Sequence, residues 1–418
     1  MTASETLPEE NDLGTIRMVT RSNKDFPAEL IRKRKRNSGF DYYVHYVGLD
    51  RRLDEWISDS KVGAKASEED IRKHAPTYFH GNVGIRRKRS LAKAEQSSNN
   101  GQLKVNISDN KGSPGSRITR HGHGHDEHTK VRNINKVQFG EFEIDCWYYS
   151  PYPGEYSSCN KLFVCEKTFK YMKNPATYKK HLEQSKSLLT PPGREIYRDN
   201  ETMLSVYEID GAKDRLFGQN LCLFSKLFIE HKTLCYDPNP FFFYVMIERD
   251  KDGEAFHPVG YFSKEKNCPE LYNLACILIF PPHQRKGYGK FIISLSYEIS
   301  KRQKTVGSPE KPISDLGKLS YRSYWSYVLL NLIHENKNPK ELALQRMAET
   351  TSIKVEDILS TLQHLRMIKH LKGQFVIHIS KIEVEKKLNN FIRRKYASSF
   401  CKPEKLTYKP AVQNTDRS

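Results

Sequence analysis

The chain has no long hydrophobic stretch. Its longest unbroken apolar runs, Phe241 to Ile247 and Leu274 to Phe280, fall far short of the ~18 residues a membrane helix needs, so no membrane partner is expected. The N-terminus opens with acids and no hydrophobic block, which argues against a secretory signal. No Cys-x-x-Cys is present; the eight cysteines are scattered, a pattern that suits a reducing compartment better than a disulfide framework. Apolar residues make up only 37%, against the ~45–50% of ordinary globular chains. Part of the chain is therefore expected outside any packed core, and at ~150 residues per domain its 418 residues allow two to four domains. Acid is in short supply too: 50 Asp and Glu against 69 Lys and Arg leave a net charge of +19.

That positive charge is uneven. Residues 81–135 hold eleven Lys/Arg and four Asp/Glu among Gly, Ser and Asn, a composition that cannot bury enough surface to offset chain entropy. They are read as a basic disordered linker. Arg86-Arg87-Lys88-Arg89 serves equally as a nuclear localisation signal, a polyphosphate contact or a plain solvated charge run. His121, His123, His125 and His128 alternate with Gly and acids, but an unstructured tract offers no second shell to fix them on a metal.

Before the linker, short strands are expected at Ile16 to Val19, Ala28 to Arg32 and Tyr42 to Val47, with a turn at Asn37-Ser38-Gly39. Tyr42, Tyr43, Tyr46 and Trp56 are candidates for a methyl-ammonium cage, yet alternate strand residues face opposite sides, so most of these rings are expected to fill a small core. Arg32 to Arg36 offers a nucleic-acid surface instead. The run Tyr43-Val44-His45-Tyr46-Val47-Gly48 into Arg51-Arg52-Leu53-Asp54-Glu55-Trp56 resembles the chromo-barrel, or Tudor-knot, module of chromatin proteins.

After the linker, Leu274 to Phe280 reads as a buried strand, followed by a Pro-Pro break and Gln284-Arg285-Lys286-Gly287-Tyr288-Gly289-Lys290. Tyr288, Phe291, Ile292, Leu295 and Ile299 then recur at helical spacing. Strand, Gly-rich turn and helix start together make an anion site, because the first N–H groups of a helix lack partners and glycine lets a pyrophosphate approach. A Gly-Lys-Ser/Thr ending is missing, as is a Rossmann second half. The pattern resembles instead the acetyl-CoA loop of the acetyltransferase superfamily.

Its surroundings resemble the MYST histone acetyltransferases over roughly residues 137–385. The matching blocks include Trp147 to Pro153, Pro191 to Arg198, Asn220 to Leu223, His231 to Leu234, Val259 to Lys266, and Gly307 to Gly317 running on to Ser320-Tyr321-Arg322-Ser323-Tyr324-Trp325. With the barrel in front, the whole resembles the males-absent-on-the-first type. The resemblance implies an α+β fold: a chromo-barrel over 13–70, the linker, and a catalytic domain over 137–400. That domain would contain a degenerate finger at about 160–187, a GNAT-like acetyl-CoA core at about 195–325 and a winged-helix-like part at about 326–385.

It also implies roles. Glu310 is the expected base, since a lysine ammonium with a reference pKa of ~10.4 must lose a proton before its nitrogen attacks. Cys276 is expected at the active site, either as an acetyl acceptor or as a buried small hydrophobe. Backbone N–H groups of Ile277, Leu278 and Ile279 are the expected oxyanion donors. Gln284, Arg285, Lys286, Gly287, Tyr288, Gly289, Lys290, Ser314 and Ser323 are expected on the cofactor, and Lys232 is the expected autoacetylation site. The family's zinc ligands correspond to Cys165, Thr168, His181 and Ser185 here; two hydroxyls replace thiolates, so no zinc is expected. Phe163, Phe169, Tyr171, Tyr178 and Leu182 are expected to hold the finger by packing. Ile279, His283 and the approach from Asn267 to Tyr272 also depart from the family pattern.

Toward the C-terminus, Val355, Ile358, Leu359, Leu362 and Leu365 are spaced for a helix, with a hairpin turning at Lys372-Gly373. The last ~20 residues read as frayed. The expectation is a nuclear enzyme moving acetyl from acetyl-CoA to histone tail lysines, histone H4 first, within a multi-subunit chromatin complex. Linker and barrel would contact DNA or RNA and dock the nucleosome. The rivals are a catalytically inactive chromatin-binding scaffold and an acetyltransferase of a non-histone protein.

Overall fold

A computed structural model describes residues 12–75, 131–230, 232, 237–253, 255–336, 343–371, 374–377 and 380–410. The described residues up to 131 and those from 132 onward form two compact units. Most of the expected linker, with Arg86 to Arg89 and the histidine tract, lies outside the described residues, as does the Lys372-Gly373 turn.

The first unit is an open five-stranded antiparallel sheet in the order β4-β3-β2-β1-β5, barrel-like without closing. Its strands are β1 (Ile16–Arg21), β2 (Lys24–Lys35), β3 (Phe40–Tyr46), β4 (Glu55–Ser58) and β5 (Val62–Lys65). Helix α1 (Glu68–His74) follows, started by a reciprocal Ser67–Asp70 capping box. Tyr42 and Tyr46 are 1% and 0% exposed and pack with Val19, Leu30, Val44 and Ile57. Tyr43 faces the other way, as strand alternation requires, against Ile31 and edge-on to Trp56. The tyrosines are therefore core. Trp56 alone keeps a partly open face, and the Arg34 guanidinium lies over it at 4.3 Å.

The second unit begins with the finger region: β6 (Lys136–Phe139), β7 (Phe142–Asp145), β8 (Lys161–Val164), β9 (Tyr171–Met172) and α2 (Pro175–Ser185). Asn174 caps α2 and Pro175 occupies its first turn, where a missing N–H costs nothing. The central sheet runs β10-β11-β12-β13-β15 and is antiparallel throughout. Its strands are β10 (Arg194–Asp199), β11 (Leu204–Asp210), β12 (Phe241–Arg249), β13 (Phe256–Glu265) and β15 (Cys276–Ile279). The short β14 (Tyr272–Leu274) pairs in parallel with β16 (Ser308–Pro309).

Helix α3 (Arg215–Lys226) packs on one face of the sheet and α4 (Tyr288–Arg302) on the other. The long α5 (Asp315–Glu335) carries α6 (Leu344–Thr351), α7 (Val355–His364) and α8 (Lys381–Arg393) in a further cluster with Tyr297 of α4. A hairpin of β17 (Ile368–Leu371) and β18 (Gln374–Ile377) follows α7.

The C-terminal tail departs from the expected fraying up to residue 410. The Cys401 N–H donates to Ser294 Oγ at 2.8 Å, and Leu406 pairs with Tyr197. Lys402 and Lys405 grip the buried Asp199 carboxylate at 3.1 and 2.6 Å. Apolar side chains spaced through a polar sequence, Cys401, Leu406 and Tyr408, account for the difference: each is buried.

Candidate functional site

Cys276 opens β15 at the sheet edge, where its N–H donates to Ser263 Oγ of β13 at 3.2 Å. Its thiol is half-buried and lies 3.5 Å from the Lys232 ammonium. Lys232 is only 7% exposed. Glu310 follows directly on β16, and its N–H donates to the Leu274 carbonyl at 2.8 Å, two residues before Cys276. Partial burial of the carboxyl, then the neighbouring Glu265 carboxylate, raise the Glu310 pKa above the ordinary range; Lys232 pulls it down and Glu270 pushes it up. The glutamate is exposed as a whole residue, so this burial concerns the carboxyl's surroundings. Lys232 thus touches the Cys276 sulfur and acts electrostatically on Glu310. The structure brings these three together from segments far apart in sequence.

Register decides which backbone groups of β15 remain open. Phe280 N–H donates to Val259 at 3.0 Å, and Tyr261 pairs with Leu278 two residues on. Antiparallel alternation then turns Leu278 inward to the ladder and leaves Ile277 and Ile279 facing the free edge. The Gln284 side chain confirms the direction by donating to the Ile279 carbonyl at 2.9 Å. Of three expected oxyanion donors, the Leu278 N–H is spent inside the sheet.

The Gly-rich turn leads from this edge into α4. Gly287 precedes the helix at φ 96°, and an added Cβ would lie 2.6 Å from Ser399 Oγ. Gly289 is different: its nearest protein atom would be Ile279 Cγ1 at 4.0 Å, so the space beside it is open. Arg285, in a left-handed conformation at φ 65°, and Lys286 are exposed beside it. Tyr288 donates to Glu248, and the Lys290 ammonium lies 4.5 Å from the Tyr396 ring centre. Ser314 caps α5, with the Gly317 N–H donating to it at 3.1 Å. Ser323 sits nine residues on, about half a turn away around the axis, so the two do not share a helix face.

Sequence reasoning did not single out Tyr261, whose buried hydroxyl interacts with Lys232 and Cys276 and is pushed well up by burial. Nor did it single out Lys226 or Glu265. Tyr261 and Glu265 lie in a block noted only for its likeness to the family.

In the finger region the four positions corresponding to zinc ligands meet in two pairs. Thr168 Oγ1 and His181 Nε2 are 3.0 Å apart, and Cys165 Sγ and Ser185 Oγ are 3.8 Å apart. Ser185 also donates to the Leu182 carbonyl at 3.0 Å. One thiol, one imidazole and two hydroxyls, already hydrogen-bonded to each other, do not fit a structural zinc ion. The expected packing divides in two. Phe163, Tyr178 and Leu182 cluster with Cys165 and Met172, while Phe169 joins the main core, 5.8 Å from the Phe280 ring.

Comparisons with known proteins bear on all three regions. The MOZ/SAS family model matches residues 190–406, the MYST family zinc finger domain matches 131–184, and the RNA binding activity-knot of a chromodomain matches 12–63. The zinc-finger match runs against the expectation of no zinc, since the region is a finger by descent. The chain is 43% identical over 365 residues to a MYST-like histone acetyltransferase of Oryza sativa subsp. japonica, covering 85% of this chain and 76% of the relative. It is 37% identical over 420 residues to histone acetyltransferase ESA1 of Saccharomyces cerevisiae, covering 94% and 92%. Against histone acetyltransferase MOF of Drosophila melanogaster it is 40% identical over 390 residues, covering 82% of this chain and 46% of the relative. The strand edge, the Gly-rich helix start and the Glu310–Lys232–Cys276 cluster all lie within or beside these matched segments, and the chain belongs to the MYST family of histone acetyltransferases.

Proposed function

We propose that this chain transfers acetyl from acetyl-CoA to lysine side chains of histone tails, histone H4 first, with Glu310 as the base. The observation that carries the reading is the placing of Glu310, its N–H on the Leu274 carbonyl at 2.8 Å, beside an open strand edge that feeds a Gly-rich helix start. Acetyl-CoA would lay its pyrophosphate along Gln284 to Lys290 and its thioester against Ile277 and Ile279. Glu310 takes a proton from the substrate ammonium, and the freed nitrogen attacks the thioester carbonyl. As the carbon–sulfur bond breaks, the proton shed by that nitrogen balances the one taken up by the departing sulfur, so that coenzyme A leaves as its thiol. Developing negative charge on the carbonyl oxygen would be met by outward N–H groups of β15. Cys276 is proposed either to accept the acetyl group first or to line the site, and Lys232, 3.5 Å from it, is the proposed autoacetylation site. Ser314 and Ser323 are proposed as further cofactor contacts.

The domain division proposed is the barrel-like unit at 13–70, a basic linker at 81–135 and a catalytic domain at 137–400. A +19 chain is poorly suited to attract a lysine-rich tail directly. Arg32, Arg34, Lys35 and Arg36 are exposed on the first unit, which supports docking on DNA or RNA phosphate within the nucleus, as part of a chromatin complex.

Labelled acetyl-CoA offered to free core histones and to nucleosomes tests the substrate assignment. Label mapped by mass spectrometry to H4 tail lysines supports it. Label found only on other histones or only on non-histone proteins contradicts it. A folded wild type that binds nucleosomes yet transfers no acetyl would favour the inactive scaffold.

A further inference from the structure

Lys226 is the last residue of α3, and its side chain turns back on the chain that leaves the helix. Its ammonium donates to the carbonyls of Ile229 at 3.3 Å and Glu230 at 2.9 Å. Those carbonyls belong to the segment that leaves the helix. The same exit is tied down on its other side, because the Trp147 and Tyr148 N–H groups both donate to Leu227 at 3.0 Å. Two residues past Glu230 comes Lys232, with its ammonium on the Cys276 sulfur. Burial pushes the Lys226 ammonium down to about 8, Glu230 works against this, and the Lys232 cation adds to it. A half-buried cation beside a second cation is unfavourable by itself, and two charge-assisted bonds to carbonyls offset that. A lysine serving only solubility would extend into water.

We infer that Lys226 is a positioning residue: by holding the Ile229 and Glu230 carbonyls it fixes the segment that keeps Lys232 against Cys276. Its consequence for catalysis rests on the proposed reading of Cys276 and Glu310 as the reacting centre; its consequence for Lys232 does not. Around Lys232 stand Cys276 of β15, Tyr261 of β13 and Glu310 after β16, so a displaced Lys232 changes the surroundings of all three.

The test uses the full chain as wild type, Lys226→Met and Lys226→Arg, with Lys226→Gln as a second variant too short to span to both carbonyls. Each is treated with deuterated acetic anhydride, and label uptake on unmodified Lys232 is followed by peptide mass spectrometry. Local opening exposes a buried amine in proportion to the open population, so labelling of Lys232 should rise about tenfold in Lys226→Met and Lys226→Gln. Lys226→Arg, which keeps donors in reach, should stay within about twofold of wild type. In parallel, kcat for acetyl transfer should fall in Lys226→Met and recover in Lys226→Arg, with KM for acetyl-CoA unchanged. Equal Lys232 labelling in all folded variants overturns the inference, as does a kcat loss that arginine does not rescue. Full activity in Glu310→Gln is the separate sign that the reading of the reacting centre fails, and it leaves the labelling result standing.

Discussion

Glu310 is held above its ordinary range first by burial of its carboxyl and next by the Glu265 carboxylate, and this fixes the sign of a pH effect. As the proposed base, Glu310 works only when deprotonated, so activity should be lost as pH falls through the raised pKa, above the ~4.3 of a free glutamate. Glu265→Gln removes one of the groups raising it and should move the acid limb of kcat/KM to lower pH. An unmoved limb would mean that the limb belongs to another group. Gly289 offers a second residue-scale prediction. No protein atom crowds it, and it sits in the first turn of α4, so Gly289→Ala should leave the fold intact or stabilise it by up to about 1 kcal/mol. If acetyl-CoA phosphate approaches that backbone, the same change should raise KM for acetyl-CoA about tenfold. Melting and steady-state kinetics on one protein sample check both halves. Gly287→Ala should instead destabilise, since its φ is positive and its Cβ would collide with Ser399.

At the scale of elements, the order strand, turn, helix was legible because an unbroken apolar run precedes the periodic stripe of α4. The expected buried strand Leu274 to Phe280 is instead the end of β14 at Leu274 and a half-buried edge strand, β15, at Cys276–Ile279. The register that spends the Leu278 N–H was not legible, because which alternate groups face out depends on pairing with β13. The tail from Cys401 to Tyr408 was missed for a related reason: three buried side chains spread over eight residues give no periodicity. Lys226 escaped notice since a lysine at a helix end reads as ordinary dipole complement, and only coordinates show it bent back onto two carbonyls.

The finger yields the prediction proper to this scale. It shares one hydrophobic cluster with the sheet, including Phe139 against Phe224 at 4.5 Å and Phe169 against Phe280. Chelation should therefore leave its melting temperature unchanged, while Phe169→Ala should cost about 3–5 kcal/mol. The double change Thr168→Cys with Ser185→Cys should create a zinc site, visible as stoichiometric metal by elemental analysis. Stoichiometric zinc already present in the purified wild type would show that the finger holds a metal with its present side chains, as its family match implies.

For the molecule as a whole, the surplus of 69 basic over 50 acidic residues is legible in the sequence, but what it binds is not, and the exposed basic end of β2 is one place where part of it lies. Part of that charge is already engaged: Arg34 and Arg36 both pair with the buried Asp41, at 2.8 and 2.9 Å. Nucleosome affinity should fall steeply with salt, with log K linear in log[salt]. Arg32→Ala with Lys35→Ala should reduce that slope, by up to about two phosphate contacts, in titrations from 50 to 200 mM salt. An unchanged slope would place the docking charge elsewhere on the chain.

The central claim is that Glu310 takes the proton from the substrate lysine. Acetyl transfer from labelled acetyl-CoA to core histones, wild type beside Glu310→Gln, tests it most directly. The variant keeps size and shape while losing the base, so the account predicts an intact melting curve, retained acetyl-CoA binding and a loss of about 10²–10⁴ in rate. A folded Glu310→Gln that transfers acetyl at the wild-type rate would contradict it.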